Sequence, residues 1–142
     1  MMRLTRLARG ARAQSTLATA LYDGSCPLCA REIAWMRTFS NARRVSFEDV
    51  SADAFDARAW AAAAGVAPVA REDLLDNMHV LDARAGGAPV MRRRVPAFRA
   101  LYAALLGRDV LAFTELPGVD RVADAAYEVA RLHKHRLAFL FK

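Results

Sequence analysis

Apolar residues in this chain fall into short groups, and the spacing within each group predicts a different element. Residues 16–22 form a compact run of Thr, Leu and Tyr that stops at Asp23-Gly24, a turn signal, which predicts a first strand. Pro27 then suits the first turn of a helix, where its missing N–H costs nothing. Cys29, Ile33 and Met36 share one face of that helix, flanked by Leu28, Trp35 and Phe39, while Arg31, Glu32 and Arg37 take the other. Asn41 and the arginines after it end the helix. Val45-Ser46-Phe47-Glu48 alternates and predicts a second strand. Residues 53–64 are alanine-rich with Phe55 and Trp60 as packing residues, and Gly65 can close them as a helix. Residues 71–76 add a further helical turn or two. Residues 78–82 and 89–93 are two strands joined across Gly86-Gly87, a hairpin. Pro96 opens a strong helix whose Phe98, Leu101, Tyr102, Leu105 and Leu106 follow the i, i+3, i+4, i+7, i+8 stripe. Pro117-Gly118 breaks it, and residues 119–135 form a last helix with Val122, Ala126 and Val129 expected to point inward.

The resulting order is strand, helix, strand, helix, hairpin, helix, and an added C-terminal helix. That is the order of an α/β, thioredoxin-like fold, with a mixed four-stranded sheet flanked by helices. A helix bundle would leave residues 45–50 and the hairpin unexplained. No internal repeat or interior linker interrupts the pattern. A chain of 142 residues has the length of about one domain and can bury a core without a disulfide or metal staple. No stretch approaches the roughly 20 apolar residues that span a bilayer.

Charge divides the chain into two parts, residues 1–16 and the domain at 17–142. The net charge is +6, and four of the arginines behind it, Arg3, Arg6, Arg9 and Arg12, lie in a start that holds no acid. Leu4 and Leu7 fall between them, and Ser15, Thr16 and Thr19 follow. This basic, hydroxyl-containing, acid-free pattern is that of an organelle transit peptide, with the mitochondrion the first expectation and the plastid the alternative. A retained basic extension would instead touch an anionic membrane surface or a partner. The remainder is nearly balanced in charge, so no nucleic-acid partner is expected.

The chemistry of the chain is concentrated in Tyr22-Asp23-Gly24-Ser25-Cys26-Pro27-Leu28-Cys29. Its only two cysteines form one Cys-x-x-Cys. Two are too few for a disulfide scaffold, and His79, His133 and His135 have no finger-like spacing to them, so no metal and no cofactor are expected. The pair lies where a strand gives way to a helix. There, unpaired N–H groups and the helix dipole favour an anion on Cys26, and the thiolate is the attacking species in thiol chemistry. Cys29, one turn on, can close a disulfide with it and resolve a mixed disulfide. Pro27 stiffens the turn and removes one donor. Gly24 is expected to supply a backbone conformation closed to other residues. Asp23 has two readings: a proton acceptor or donor for Cys29, or a turn residue that binds nearby N–H groups.

At these residues the chain resembles the DCC family of thiol–disulfide oxidoreductases, named for an Asp-x-x-Cys-x-x-Cys motif, here Asp23, Cys26 and Cys29. The likeness extends to Phe47-Glu48-Asp49-Val50, to Arg71-Glu72-Asp73-Leu74-Leu75 leading into Met78-His79-Val80, to Ala97-Phe98-Arg99-Ala100-Leu101-Tyr102, to Leu116-Pro117-Gly118-Val119 and to the basic last helix. It covers about residues 17–140. It implies a thioredoxin-like fold and disulfide exchange with protein or small-molecule partners, and it supplies no substrate. Thioredoxins place a proline before the third strand, beside the cysteines; Asn77-Met78-His79 occupies that place here, so His79 is a candidate to face the cysteines. A glycine is expected before Val95, where Arg92-Arg93-Arg94 runs instead, either a solvated edge or a docking patch for an acidic partner. The alternative function is an accessory subunit of a large mitochondrial complex that keeps the fold and loses some or all redox activity.

Overall fold

The computed structural model describes residues 15–139. The arginine-rich start, residues 1–14, lies outside the described residues. Strand β1 (Ala18–Tyr22) leads into helix α1 (Pro27–Met36), and a 3-10 turn over Ser40–Arg44 leads into β2 (Val45–Asp49). Helices α2 (Ala57–Ala64) and α3 (Arg71–Asp76) come next, then β3 (His79–Asp82) and β4 (Val90–Arg93). Helix α4 (Val95–Leu106) and α5 (Val119–Phe139) complete the fold. The sheet order is β2-β1-β3-β4. β1 pairs parallel with β2 and antiparallel with β3, and β3 pairs antiparallel with β4. The expected thioredoxin-like sheet, flanked by helices and carrying an added C-terminal helix, is therefore present.

Alternation along β1 sorts the core into two layers. Ala18 and Ala20 pack with Ile33 and Met36 of α1 and with Leu101, Ala104 and Leu105 of α4. Leu21 points the other way and packs with Val50 and Leu74, with Phe55 and Trp60 against them. Small alanines on the first face let two helices lie close to the strand. Leu101 and Leu105 are fully buried, and each contributes on the order of 2 kcal/mol of apolar burial. The alanine-rich helix starts later than expected, at Ala57, because Asp56 caps it by accepting from the N–H groups of Arg58 and Ala59.

Three inward-facing assignments on α5 change. Val122 and Val129 of α5 are exposed, at 68% and 59%, and Ala126 is exposed too. The face that α5 turns to the domain carries Tyr127, Arg131 and Lys134 instead. Trp35, expected to pack, is also exposed and meets Phe39 edge-on at 4.7 Å. A polar helix face can be the inward one when carboxylates and backbone groups lie beneath it, and here they do.

The arginine run lies along the sheet edge as expected, with Arg92 and Arg93 exposed on β4, and each of the three arginines pairs with an acid. Arg92 reaches Asp82 at 3.6 Å, Arg93 reaches Asp73 at 2.8 Å and Arg94 reaches Glu128 of α5 at 2.9 Å. Arg94 has φ 61° and ψ −130°, a backbone region that favours glycine, at the position where glycine is expected. Such a conformation costs on the order of 1–3 kcal/mol. Its guanidinium stacks on Tyr127, 5.1 Å from the ring centre, and with the Glu128 ion pair this ties α4's start to α5.

Candidate active site

β1 ends at Tyr22 and the chain turns through residues 23–26 before α1 begins. Short-range hydrogen bonds hold this turn. Asp23 Oδ1 accepts from the Ser25 N–H at 3.0 Å and from Ser25 Oγ at 2.5 Å, and the Asp23 carbonyl accepts from the Cys26 N–H at 3.2 Å. These bonds fill the turn role foreseen for Asp23. From the next strand, Asp49 Oδ1 accepts from the Gly24 N–H at 2.9 Å. A Cβ on residue 24 would fall 2.0 Å from Asp49 Oδ2. Gly24 is thus required by the closeness of a carboxylate, and the expectation of a special backbone conformation is corrected: its φ is not among the positive ones.

Asp49 binds Ser51 through its hydroxyl and N–H as well. Burial pushes its carboxyl up, but the Ser51, Gly24 and Ala52 donors outweigh that and hold it below the usual carboxylate range.

Cys26 is the N-cap of α1, in extended conformation, with Pro27 in the first turn as expected. Its Sγ accepts from the Cys29 N–H at 3.4 Å and from the Cys29 thiol at 2.8 Å. Both cysteines are free, and closing to a bond of about 2.05 Å needs less than 1 Å of motion. Their exposure runs against the usual expectation for an attacking and a resolving cysteine. Cys26 has no exposed surface, whereas Cys29 is partly exposed.

Cys29 opens onto a mainly apolar groove of about 140 Å³ between α1, the α3–β3 link, α4 and α5, walled by Leu28, Ile33, Leu74, Met78 and Phe98. Tyr22 and Asp23 reach the same groove. Burial pushes the Cys29 thiol well up, and the hydrogen bond and charge of Cys26 add to this; Lys134 pulls it back down, and Asp23 raises it.

His79 is not in this group. It is buried, its Nδ1 lies 2.9 Å from the Asn77 carbonyl, and its Nε2 lies 3.4 Å from Asp73. Its ring serves the junction of α3 and β3, so the expectation that it faces the cysteines is replaced by this structural role.

Four groove residues were not foreseen as functional. Glu32 of α1 is raised by burial, which a hydrogen bond from Tyr102 partly offsets, and Tyr102 is itself pushed up to about 12. From α5, the Tyr127 hydroxyl accepts from the Met78 N–H at 2.8 Å. Arg131 binds Asp76 at 2.6 Å and also Glu128. Lys134 Nζ donates to the Leu75 carbonyl at 2.6 Å and lies 3.6 Å from Asp23 Oδ2. The signal available in the sequence was the spacing 127, 131, 134, one helical stripe of long polar side chains. Among the described residues, no group of three or more His, Cys, Asp or Glu side chains could hold a metal ion.

A strand-delivered Cys-x-x-Cys at a helix N-terminus, on this sheet order, is the arrangement of a thiol–disulfide site. The description DCC1-like thiol-disulfide oxidoreductase covers a family that matches residues 20–140. The chain belongs to the DCC1-like family. The match runs from within β1 through α5, so in this DCC1-like chain the helix over the groove lies within the matched region. No curated protein and no solved structure matches the chain.

Proposed function

We propose that this chain passes a disulfide between its Cys26/Cys29 pair and protein or small-molecule substrates. One observation carries the reading: two free sulfurs 2.8 Å apart at the N-terminus of α1, beside an apolar groove. In the forward sequence, Cys26 thiolate attacks a substrate disulfide. One S–S bond breaks, a substrate thiolate leaves, and a mixed disulfide remains on Cys26. Cys29 then gives up its proton and attacks Cys26 Sγ, expelling the second substrate thiolate and leaving the Cys26–Cys29 disulfide. The Cys26 sulfur stands at the N-cap of α1 and accepts from the Cys29 N–H. Because Cys26 is covered, the 23–26 turn must open for substrate to reach it.

A second order is favoured by the exposure of Cys29. Cys29 would make the first attack from the groove and pass its proton to Cys26. Single substitutions separate the two orders. With a model disulfide substrate, Cys29→Ser should accumulate a mixed disulfide on Cys26, and wild type should reduce that substrate. Accumulation in Cys26→Ser instead establishes the inverted order. No adduct in either variant, together with no reduction by wild type, defeats the proposal.

A further inference from the structure

We propose that Lys134, carried by the C-terminal helix, is a positioning residue that makes Cys29 ionisable at the moment it must act. The proposal rests on the exchange reading above. In either order Cys29 has to give up its proton and form an S–S bond while a thiolate leaves. Yet Cys29 sits in a groove whose nearby charges oppose a second anion.

The groups facing it can be named. On α1 they are Cys26 and Glu32; on the preceding turn, Asp23; at the end of α3, Asp76; on α5, Tyr127, Arg131 and Lys134. Four of them are engaged elsewhere: Glu32 with Tyr102, Tyr127 with the Met78 N–H, and Asp76 and Arg131 with each other, Arg131 also with Glu128. Lys134 lines the same groove as Cys29. Its side chain is only 14% exposed, its Nζ is fixed by the Leu75 carbonyl, and it stands 3.6 Å from the buried Asp23 carboxylate. A buried carboxylate beside a partly buried thiol favours the protonated thiol. Lys134 offsets Asp23 and adds positive potential at Cys29, which its lowering effect on that thiol reflects.

This role can be read without any exchange activity. In a Cys26→Ser background, the pH dependence of iodoacetamide alkylation reports Cys29 ionisation alone. Adding Lys134→Gln should move the midpoint up by about one pH unit, the scale of losing one neighbouring opposite charge. Lys134→Arg should restore it. Tyr127→Phe, which frees an α5 anchor while keeping the charge, should leave it in place. If Lys134→Gln does not fold, Lys134→Met, whose longer apolar stem keeps the packing, carries the same comparison. An unmoved midpoint in a folded charge-removing variant overturns the proposal. So does an equal shift in Tyr127→Phe, which would assign the effect to docking of α5 rather than to charge. Absence of substrate exchange in wild type strikes the exchange reading and leaves this titration to stand or fall by itself.

Discussion

The turn that carries the cysteines and the helix that closes over them are held in different ways. The 23–26 turn is stapled mainly by neighbours in sequence: Asp23 to Ser25, Cys26 to Cys29 and Pro27 at the helix start, with Asp49 from the adjacent strand as the one distant clamp. α5 is held chiefly by residues far away in the chain: Tyr127 on Met78, Arg131 on Asp76, Glu128 on Arg94 and Lys134 on Leu75 and Asp23. The first region sets where the sulfurs are. The second brings Lys134 over the groove. The geometry of the site is thus built mainly by the turn, whereas its electrostatics draw on both regions: burial, Cys26 and Asp23 raise the Cys29 thiol and Lys134 lowers it.

The largest effect should come from the turn. Gly24→Ala puts a Cβ 2.0 Å from Asp49 Oδ2 and must displace either the carboxylate or the turn. A loss of about 2–3 kcal/mol is expected, at the upper end of overpacking costs, measured as a drop in urea midpoint. Exchange activity should fall with it. A substitution tolerated at wild-type stability would mean that Asp49 is not the clamp described.

Tyr127→Phe should act on the other region. It removes the acceptor for the Met78 N–H and should cost about 1–2 kcal/mol. Hydrogen exchange should quicken at Met78 and along α5, while the amides of Gly24 and Ser25 keep their protection. Equal quickening in both places would show that turn and helix are one cooperative unit.

Acid should produce the smallest effect and touch both regions. Asp49 lies below the usual carboxylate range because its donors outweigh burial, Asp73 because Arg93 hydrogen-bonds it, and Asp82 because Arg84 does. A folded pKa below the unfolded one contributes stability above the ordinary carboxylate pKa, and that stability is lost as pH falls toward the folded value. The urea midpoint should therefore hold between neutrality and about pH 5 and decline below about pH 4. Asp49→Asn should flatten part of that decline and loosen the turn more than α5.

The same division decides what could be read from the residues alone. The strands, the helix starts at Pro27 and Pro96, and the Cys-x-x-Cys at a strand-to-helix junction all rest on short-range signals. Those signals survive folding. The inward face of α5 does not rest on such a signal: Val122 and Val129 suggested an apolar seam, but the surface under the helix offers Asp23, Asp76 and backbone carbonyls, so the polar stripe at 127, 131 and 134 turns in. His79 was placed by analogy with position, and its partner Asp73 on α3 was invisible in local pattern. Gly24 was legible as necessary, but the reason, the Asp49 carboxylate 25 residues away, is a tertiary contact. Arg94 shows the converse: a glycine was expected there, and the positive φ proves the position special, with Glu128 and Tyr127 holding the arginine in it.

Cys26 and Cys29 are expected to form a reversible disulfide able to exchange with substrates. Equilibrating the purified chain in graded mixtures of reduced and oxidised glutathione, then acid-quenching and weighing it, tests this most directly. One reversible transition with loss of two hydrogens is expected, mapping to a Cys26–Cys29 bond within a single chain. A pair that stays reduced across the whole series, or that oxidises only by linking two chains, would contradict it.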